Sequence, residues 1–309
     1  MTVDASRRNP RELWHAVNNM LQPPKEESTP KLTSVDFARF FRDKVDNIRK
    51  ATAEASPPVI GNRCFPPLSS FEPTAEHEIV TLLQTVPSKS CLLDPISTWL
   101  PKCLSPCIAP VICHLCNLSM HTGFLPQLKQ ACILPLLKKP TLDPDTCSSY
   151  RPISNLSFIS KLIECIVVRH FTSHVSQFNL FPSQQSAYRP FHSTETGVLS
   201  VHDALFRNNQ VSLLVLLDLS TAFDTVDHSI LFSVMSNRIC VDGKALDWFT
   251  SYLSDRTQSF IYNRNETESY PVNCSVPQGS VLGPVEFAAY TEDIIDLMGA
   301  LQRGVTSLC

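Results

Sequence analysis

Hydrophobic residues recur at helical spacing in several parts of the chain. In residues 35–48, Phe37, Phe40, Phe41, Val45 and Ile48 fall on one stripe, which predicts an amphipathic helix that packs on another element. Residues 73–83 place carboxylates where a helix begins, and the helix dipole favours them there. Residues 245–253 predict another amphipathic helix, and the runs after residues 157 and 194 read as helical too.

Strand-like patterns fall in the second half of the chain. The run V-S-L-L-V-L-L at residues 211–217 predicts a strand that delivers Asp218 to its end, with Asp224 following closely. Carboxylates beside an apolar strand are costly unless a cation compensates them. Residues 258–262 and 270–274 predict two paired strands that support this region.

Proline-rich segments divide the chain. Residues 23–30 read P-P-K-E-E-S-T-P and break the preceding helical pattern, and residues 55–73 are again rich in proline. These segments predict a linker or tethering arm over residues 1–75, with short helices and extended stretches. The folded domain is expected over residues 76–309.

Composition narrows the class of protein. With 309 residues, 43% of them hydrophobic, the chain can bury a core. The net charge of -3 gives no global attraction to nucleic acid, but residues 120–210 carry eight Lys or Arg against five Asp or Glu. That basic surplus suits phosphate handling, although a solvated face would give the same count.

The amino-terminal sequence and the cysteines bear on location. The first residues form no apolar signal region, and no run reaches the ~18 apolar residues of a membrane span. We therefore expect an intracellular protein, not secreted and without a membrane partner, whose nuclear or cytoplasmic location stays open. Its 12 cysteines are then expected as reduced thiols.

A cluster of thiols and one imidazole lies within residues 103–116. It permits a zinc site, but its spacing also describes a buried helix lined with thiols. The second reading is favoured, because no other ligand pair stands at finger-like spacing. The cluster consists of Cys103, Cys107, Cys113, His114 and Cys116.

Several short motifs together resemble one family. Residues 218–224 read D-L-S-T-A-F-D, and residues 277–284 read P-Q-G-S-V-L-G-P. Residues 89–96 (K-S-C-L-L-D-P-I), 150–154 (Y-R-P-I-S) and 185–189 (Q-S-A-Y-R) accompany them. The set resembles the reverse transcriptases of LINE-type (non-LTR) retrotransposons.

The resemblance implies an α+β fold with the fingers and part of the palm of a right-hand polymerase. It also implies RNA-templated DNA synthesis with an RNA template, a DNA primer, deoxynucleoside triphosphates and two Mg²⁺ or Mn²⁺ ions, since hard cations prefer oxygen ligands.

Specific roles follow from the same resemblance. Asp218 matches the first metal-binding aspartate, and the backbone carbonyl of Leu219 could add a ligand. Arg151 and Lys161 match positions that face the incoming triphosphate. Arg189 matches a nucleic-acid or phosphate contact, and Phe223 matches the steric gate against a ribose 2′ hydroxyl. Gln278 and Gly279 match a pair that contacts the nucleotide.

Alternatives remain for several of these positions. Asp218 could instead cap a following helix, and Lys161 could be an ordinary helix lysine. Part of the signal near Arg189 could be helix capping by Ser193 and Thr194. The roles of Asp224, Asp227 and His228 stay open.

Departures from the family pattern point away from activity in these 309 residues. Ser275 replaces the usual glycine, and a buried, unpaired Glu286 would cost several kcal/mol or turn its helix outward. The family's Ala-Asp-Asp motif is expected just beyond Cys309, so the chain reads as truncated before it. The competing hypothesis is a non-catalytic remnant that binds nucleic acid or another partner.

Overall fold

The structure is a computed structural model that describes residues 31–56, 58–87, 91–183, 185–189, 191–207, 216, 218–219 and 221–294. Its helices are α1 (Ser34–Thr52), α2 (Glu76–Thr85), α3 (Trp99–Cys103), α4 (Ser105–Thr122), α5 (Phe158–Gln177), α6 (Thr194–Arg207), α7 (His228–Asn237), α8 (Gly243–Leu253) and α9 (Gly283–Tyr290). Its strands are β1 (Gln130–Leu137), β2 (Tyr150–Asn155), β3 (Arg256–Tyr262), β4 (Asn265–Glu266) and β5 (Tyr270–Val272). The α+β class expected from the sequence is confirmed.

The strands form one mixed sheet in the order β2-β1-β3-β4, and β5 also pairs with β3. Strands β1 and β2 are antiparallel, with Leu136 opposite Arg151. Strand β3 runs parallel to β1 and antiparallel to β5. The predicted pairing of residues 258–262 with 270–274 is confirmed through the pair Gln258 and Tyr270.

Helix α1 covers one part of this sheet. It begins at a capping box, in which the backbone N–H of Thr33 donates to Asp36 Oδ2 over 2.9 Å. The fully buried Phe37 ring then meets the rings of Tyr150 and Tyr262 edge-on, each at 4.8 Å between centroids. The apolar stripe read from the sequence therefore has its partner in the sheet.

The compact unit that contains α1 begins at Thr33. Phe71, which precedes α2, also lies in the main core. Residues 33–75 thus pack with the rest of the described chain. The assignment of residues 1–75 to a linker or tethering arm stays a prediction, and residues 1–30 lie outside the described residues.

The main core lies among the helices. Helix α8 places Trp248 and Tyr252 inward, stacked at 5.4 Å, and the Trp248 Nε1–H donates to Ser119 Oγ of α4 at 3.1 Å. Helices α4 and α5 pack against the same cluster, which also takes in most of α9. In α4, Cys113 and Cys116 are buried, whereas Cys103 and Cys107 are exposed.

No helix among the described residues is long and apolar enough to cross a membrane. No group of three or more His, Cys, Asp or Glu side chains in those residues could hold a metal ion.

We expect Phe37→Ala to lower the free energy of unfolding by about 3 kcal/mol, because it removes a buried aromatic ring and leaves a cavity. Urea unfolding followed by circular dichroism measures this. Val35→Ala on the same helix is the control, since Val35 is 53% exposed. Equal effects of the two substitutions would contradict the packing of α1 on the sheet.

Candidate active site

The loop of residues 277–283 is pressed against strand β2. The backbone N–H of Ser154 donates to the carbonyl of Gln278 over 2.7 Å. At Gly279 the φ angle is +121°, and a Cβ there would lie 2.6 Å from the Ser154 carbonyl oxygen. Only glycine therefore allows this approach. The glycine requirement is explained by β2, and a contact of Gly279 with a nucleotide stays a prediction.

The two residues just before this loop, Ser275 and Val276, are joined to the segment that carries Phe223. The N–H of Val276 donates to the Phe223 carbonyl over 2.9 Å, and the N–H of Ser275 donates to the Val226 carbonyl over 2.8 Å. His228 Nε2 donates to the Ser275 carbonyl over 2.7 Å. The structure thus brings together the two motifs that lie about sixty residues apart in the sequence.

Ser275 has a φ angle of +92°, in the left-handed region that favours glycine. The family pattern has glycine at this position, and the backbone now gives the physical reason. Serine there carries strain of about 1–2 kcal/mol.

Phe223 lies in a short 3₁₀ turn, Ala222–Thr225, and is partly buried. Its ring stacks on Phe287 of α9 with centroids 5.0 Å apart. The ring is therefore fixed by packing. Its role as a steric gate stays a prediction.

Asp218 and Leu219 are exposed in irregular backbone. The predicted strand at residues 211–217 lies outside the described residues apart from Leu216. Asp218 supplies one carboxylate, and it belongs to no set of three metal-ligating side chains among the described residues. A two-metal site needs more carboxylates than this, so the described residues alone do not fit such a site.

Asp224 lies at the wall of a cavity. It lines a cavity of about 410 Å³ beneath α1, together with Arg49, Arg256 and Gln278. Burial raises the pKa of Asp224 to about 6, although nearby Lys44 opposes the shift. The neighbouring Asp227 caps α7 by accepting from the Ser229 N–H at 2.9 Å. These contacts assign structural surroundings to two carboxylates whose roles the sequence left open.

The predicted phosphate-binding cations occupy three separate settings. Arg151 is exposed on β2, and Lys161 is partly buried near the start of α5. Arg189 Nη1 donates to the carbonyls of Pro182, Ser183 and Gln185 at 3.1–3.3 Å. Arg189 therefore holds its own loop, and phosphate contact by any of the three stays a prediction.

Glu164 is a residue that the sequence reading did not single out. Its fully buried carboxylate accepts from Ser160 Oγ at 2.8 Å and from the Val281 backbone N–H at 2.6 Å. Burial raises its pKa. The available signal was an acidic residue within the otherwise apolar run L-I-E-C-I-V-V of α5.

Glu286 turns inward on α9 and is 0% exposed. Neither of its carboxyl oxygens has a hydrogen-bond partner among the residues that the structure describes. Burial, and then the neighbouring Glu164 carboxylate, raises the pKa of Glu286 to about 8. The carboxyl is therefore mostly protonated at neutral pH, which lowers the cost of leaving it inside.

Several known proteins are similar to this chain in sequence. Residues 137–302 match the family model "Reverse transcriptase (RNA-dependent DNA polymerase)". The probable RNA-directed DNA polymerase from transposon BS of Drosophila melanogaster is 29% identical over 267 residues, covering 84% of this chain and 29% of that protein. The corresponding protein from transposon X-element of the same organism is 26% identical, covering 74% and 25%.

A third relative is the RNA-directed DNA polymerase from mobile element jockey of Drosophila melanogaster. It is 25% identical over 181 residues, covering 58% of this chain and 20% of the relative. The chain thus spans less than a third of the length of these curated relatives.

Two substitutions, one in the loop and one just before it, should change the free energy of unfolding in opposite directions. Gly279→Ala should lower the free energy of unfolding by about 2 kcal/mol or more, because its Cβ meets the Ser154 carbonyl. Ser275→Gly should raise it by up to about 1 kcal/mol through relief of strain. Thermal unfolding measures both, and Gly61→Ala is the control, since the nearest atom to its Cβ is 3.7 Å away.

Glu286 should also give stability a pH dependence. Its pKa is about 8 in the folded chain against an ordinary value of 4.5, so the folded state binds the proton more tightly. The contribution of Glu286 to the free energy of unfolding should therefore be fully present below pH 4.5 and decrease by roughly several kcal/mol as the pH rises to 8. Glu286→Gln should remove this decrease.

Urea titrations of the parent and of Glu286→Gln across that pH range isolate the effect of this carboxyl from the other titrating groups. A constant difference between the two proteins at every pH would contradict the inward, protonated Glu286.

Proposed function

Because the chain belongs to the reverse transcriptase (RNA-dependent DNA polymerase) family, in its LINE-type branch, we propose that it serves RNA-directed DNA synthesis. Within that reaction it supplies the fingers and the first part of the palm. Strands β1 and β2 with α5 correspond to the fingers, and the segment from Asp218 through α9, which includes β3, β4 and β5, corresponds to the palm. The partners are an RNA template, a DNA primer and deoxynucleoside triphosphates.

The contacts around the 277–283 loop support this proposal most strongly. The 277–283 loop is hydrogen-bonded to β2, which carries Arg151, and Val276, the residue just before the loop, is hydrogen-bonded to Phe223. A nucleotide site that uses Arg151, Phe223 and Gln278 needs these three elements in one rigid arrangement, since positioning is the main contribution of a polymerase to phosphoryl transfer.

The proposed division of roles follows the sequence motifs. Arg151, Lys161 and Arg189 bind phosphates, with guanidinium groups suited to paired oxygens and the ammonium group acting as a point charge. Phe223 excludes the ribose 2′ hydroxyl, and Gln278 and Gly279 contact the nucleotide. Asp218 and the Leu219 carbonyl offer hard oxygens for Mg²⁺ or Mn²⁺. Metal ions held there together with further carboxylates would supply activation of the primer hydroxyl and neutralisation of the triphosphate charge.

The second candidate is a nucleic-acid-binding protein without polymerase activity. The basic surplus of residues 120–210 favours it as well, because phosphate contacts require only positive charge. The two candidates differ in one measurable property. A polymerase site recognises the deoxynucleotide that pairs with the template base, whereas charge alone does not.

We expect this chain to form a ternary complex with a primed RNA template and the complementary deoxynucleotide in Mg²⁺ or Mn²⁺. The complementary deoxynucleotide should slow dissociation of the template and primer, while the three mismatched deoxynucleotides should not. Using a dideoxy-terminated primer, fluorescence anisotropy measures this without requiring extension.

Variants sharpen the result. Asp218→Ala should abolish the nucleotide effect and leave binary binding nearly unchanged. Replacing Arg151, Lys161 and Arg189 by Ala should weaken binary binding and reduce its dependence on salt between about 50 and 200 mM. Salt-sensitive binding with no preference for the complementary deoxynucleotide would favour the second candidate and overturn the first.

A further inference from the structure

We propose that Glu164 is a positioning residue for the nucleotide site, an inference that rests on the proposed function. Its carboxylate fixes the backbone N–H of Val281 and thereby sets the 277–283 loop on which Gln278 lies. Glu164 touches no nucleotide in this proposal. It acts through the loop.

The hydrogen bonds of Glu164 distinguish it from a buried acid that has no partner. Both of its oxygens have donors, one from its own helix (Ser160 Oγ) and one from the loop (the Val281 N–H). Ser160 is itself fully buried and stands one turn before Glu164 on α5, so its hydroxyl orients the carboxylate from behind. The bond to Val281 is the point at which α5 holds the loop.

This bond complements the two contacts already described. Strand β2 holds the loop at Gln278 and the Phe223 segment holds the chain at Val276. Without Glu164, the end of the loop that leads into α9 would keep the core packing of Leu282 and its internal hydrogen bonds, in which Ser280 Oγ donates to the Pro277 carbonyl and accepts from the Gly283 N–H. Those hydrogen bonds shape the loop but do not attach it to α5.

Burying a carboxylate to hold one backbone N–H costs free energy, because burial disfavours the charged form of the group. Hydrogen bonds to ionised groups are stronger and shorter than neutral ones, which suits a loop that must keep its position when substrate enters. Glu286 provides the contrast within the same region. Its carboxyl is equally buried but has no hydrogen-bond partner among the described residues, and so that carboxyl cannot position the loop.

The experiment compares Glu164→Leu, Glu164→Gln and Ser160→Ala with the parent, and Glu286→Gln is the matched control. Glutamine keeps an acceptor for the Val281 N–H and can donate to Ser160 Oγ, so it should rescue the function that leucine loses. Ser160→Ala leaves the carboxylate in place but removes its orienting donor. Because it is a small change, it tests the proposal even if Glu164→Leu fails to fold.

The first readout is amide hydrogen exchange at Val281, which requires no nucleotide. Exchange should become about tenfold faster or more in Glu164→Leu, with a smaller change in Ser160→Ala and little change in Glu286→Gln. Unchanged protection of Val281 in both Glu164→Leu and Ser160→Ala would overturn the proposal.

The second readout is the ternary complex. Glu164→Leu should weaken binding of the complementary deoxynucleotide by about tenfold or more while binary affinity for template and primer stays within about twofold. Glu164→Gln should stay close to the parent. An equal loss in Glu164→Gln and Glu164→Leu, or in the Glu286→Gln control, would indicate general destabilisation and would overturn positioning.

The two proposals can fail separately. If the parent forms no ternary complex, the proposed function fails and the nucleotide part of this inference falls with it, whereas Val281 exchange still decides whether Glu164 holds the loop. If the parent forms the complex and Glu164→Leu forms it equally well, the proposed function stands and positioning by Glu164 is wrong.

Discussion

The close approach between the 277–283 loop and strand β2 is the constraint on which the rest of the site depends. It requires a position without a side chain at Gly279, a carbonyl at Ser154 that points into the space, and a hydrogen bond that closes the contact. Once the loop lies there, the backbone of Val276 reaches the Phe223 segment, and α9 follows directly into the core. Two distant parts of the sequence therefore share one rigid frame.

Buried charge around this frame is handled in three different ways. Glu292 is fully buried but compensated by ion pairs with Arg63 and with Arg238, the latter at 2.9 Å. Glu164 is compensated by hydrogen-bond donors, one of them the loop backbone. Glu286 has neither and is accommodated as a neutral acid through its raised pKa. The same side-chain type is thus ion-paired at Glu292, hydrogen-bonded to the loop at Glu164, and neutral inside an apolar helix at Glu286.

Periodicity predicted the local elements well, because it reflects which face of each element is buried. The stripe of α1, the inward face of α8 and the pairing of β3 with β5 follow from residues close together in sequence. The parallel pairing of β1 with β3 joins residues more than a hundred positions apart, and no local pattern encodes it. Arg189 shows a similar limit, since its contacts with backbone carbonyls depend on how its loop closes.

Helix α1 has a consequence for where the folding unit begins. The match to the family model starts at residue 137, the last residue of β1, whereas the aromatic contacts of Phe37 and Phe41 with the sheet come from a helix about one hundred residues earlier. A fragment cut to the boundaries of that match would leave Tyr150, Phe260 and Tyr262 without this cover and would lose most of a central strand. The stretch that the family model matches is therefore shorter than the stretch that packs together, which begins before α1.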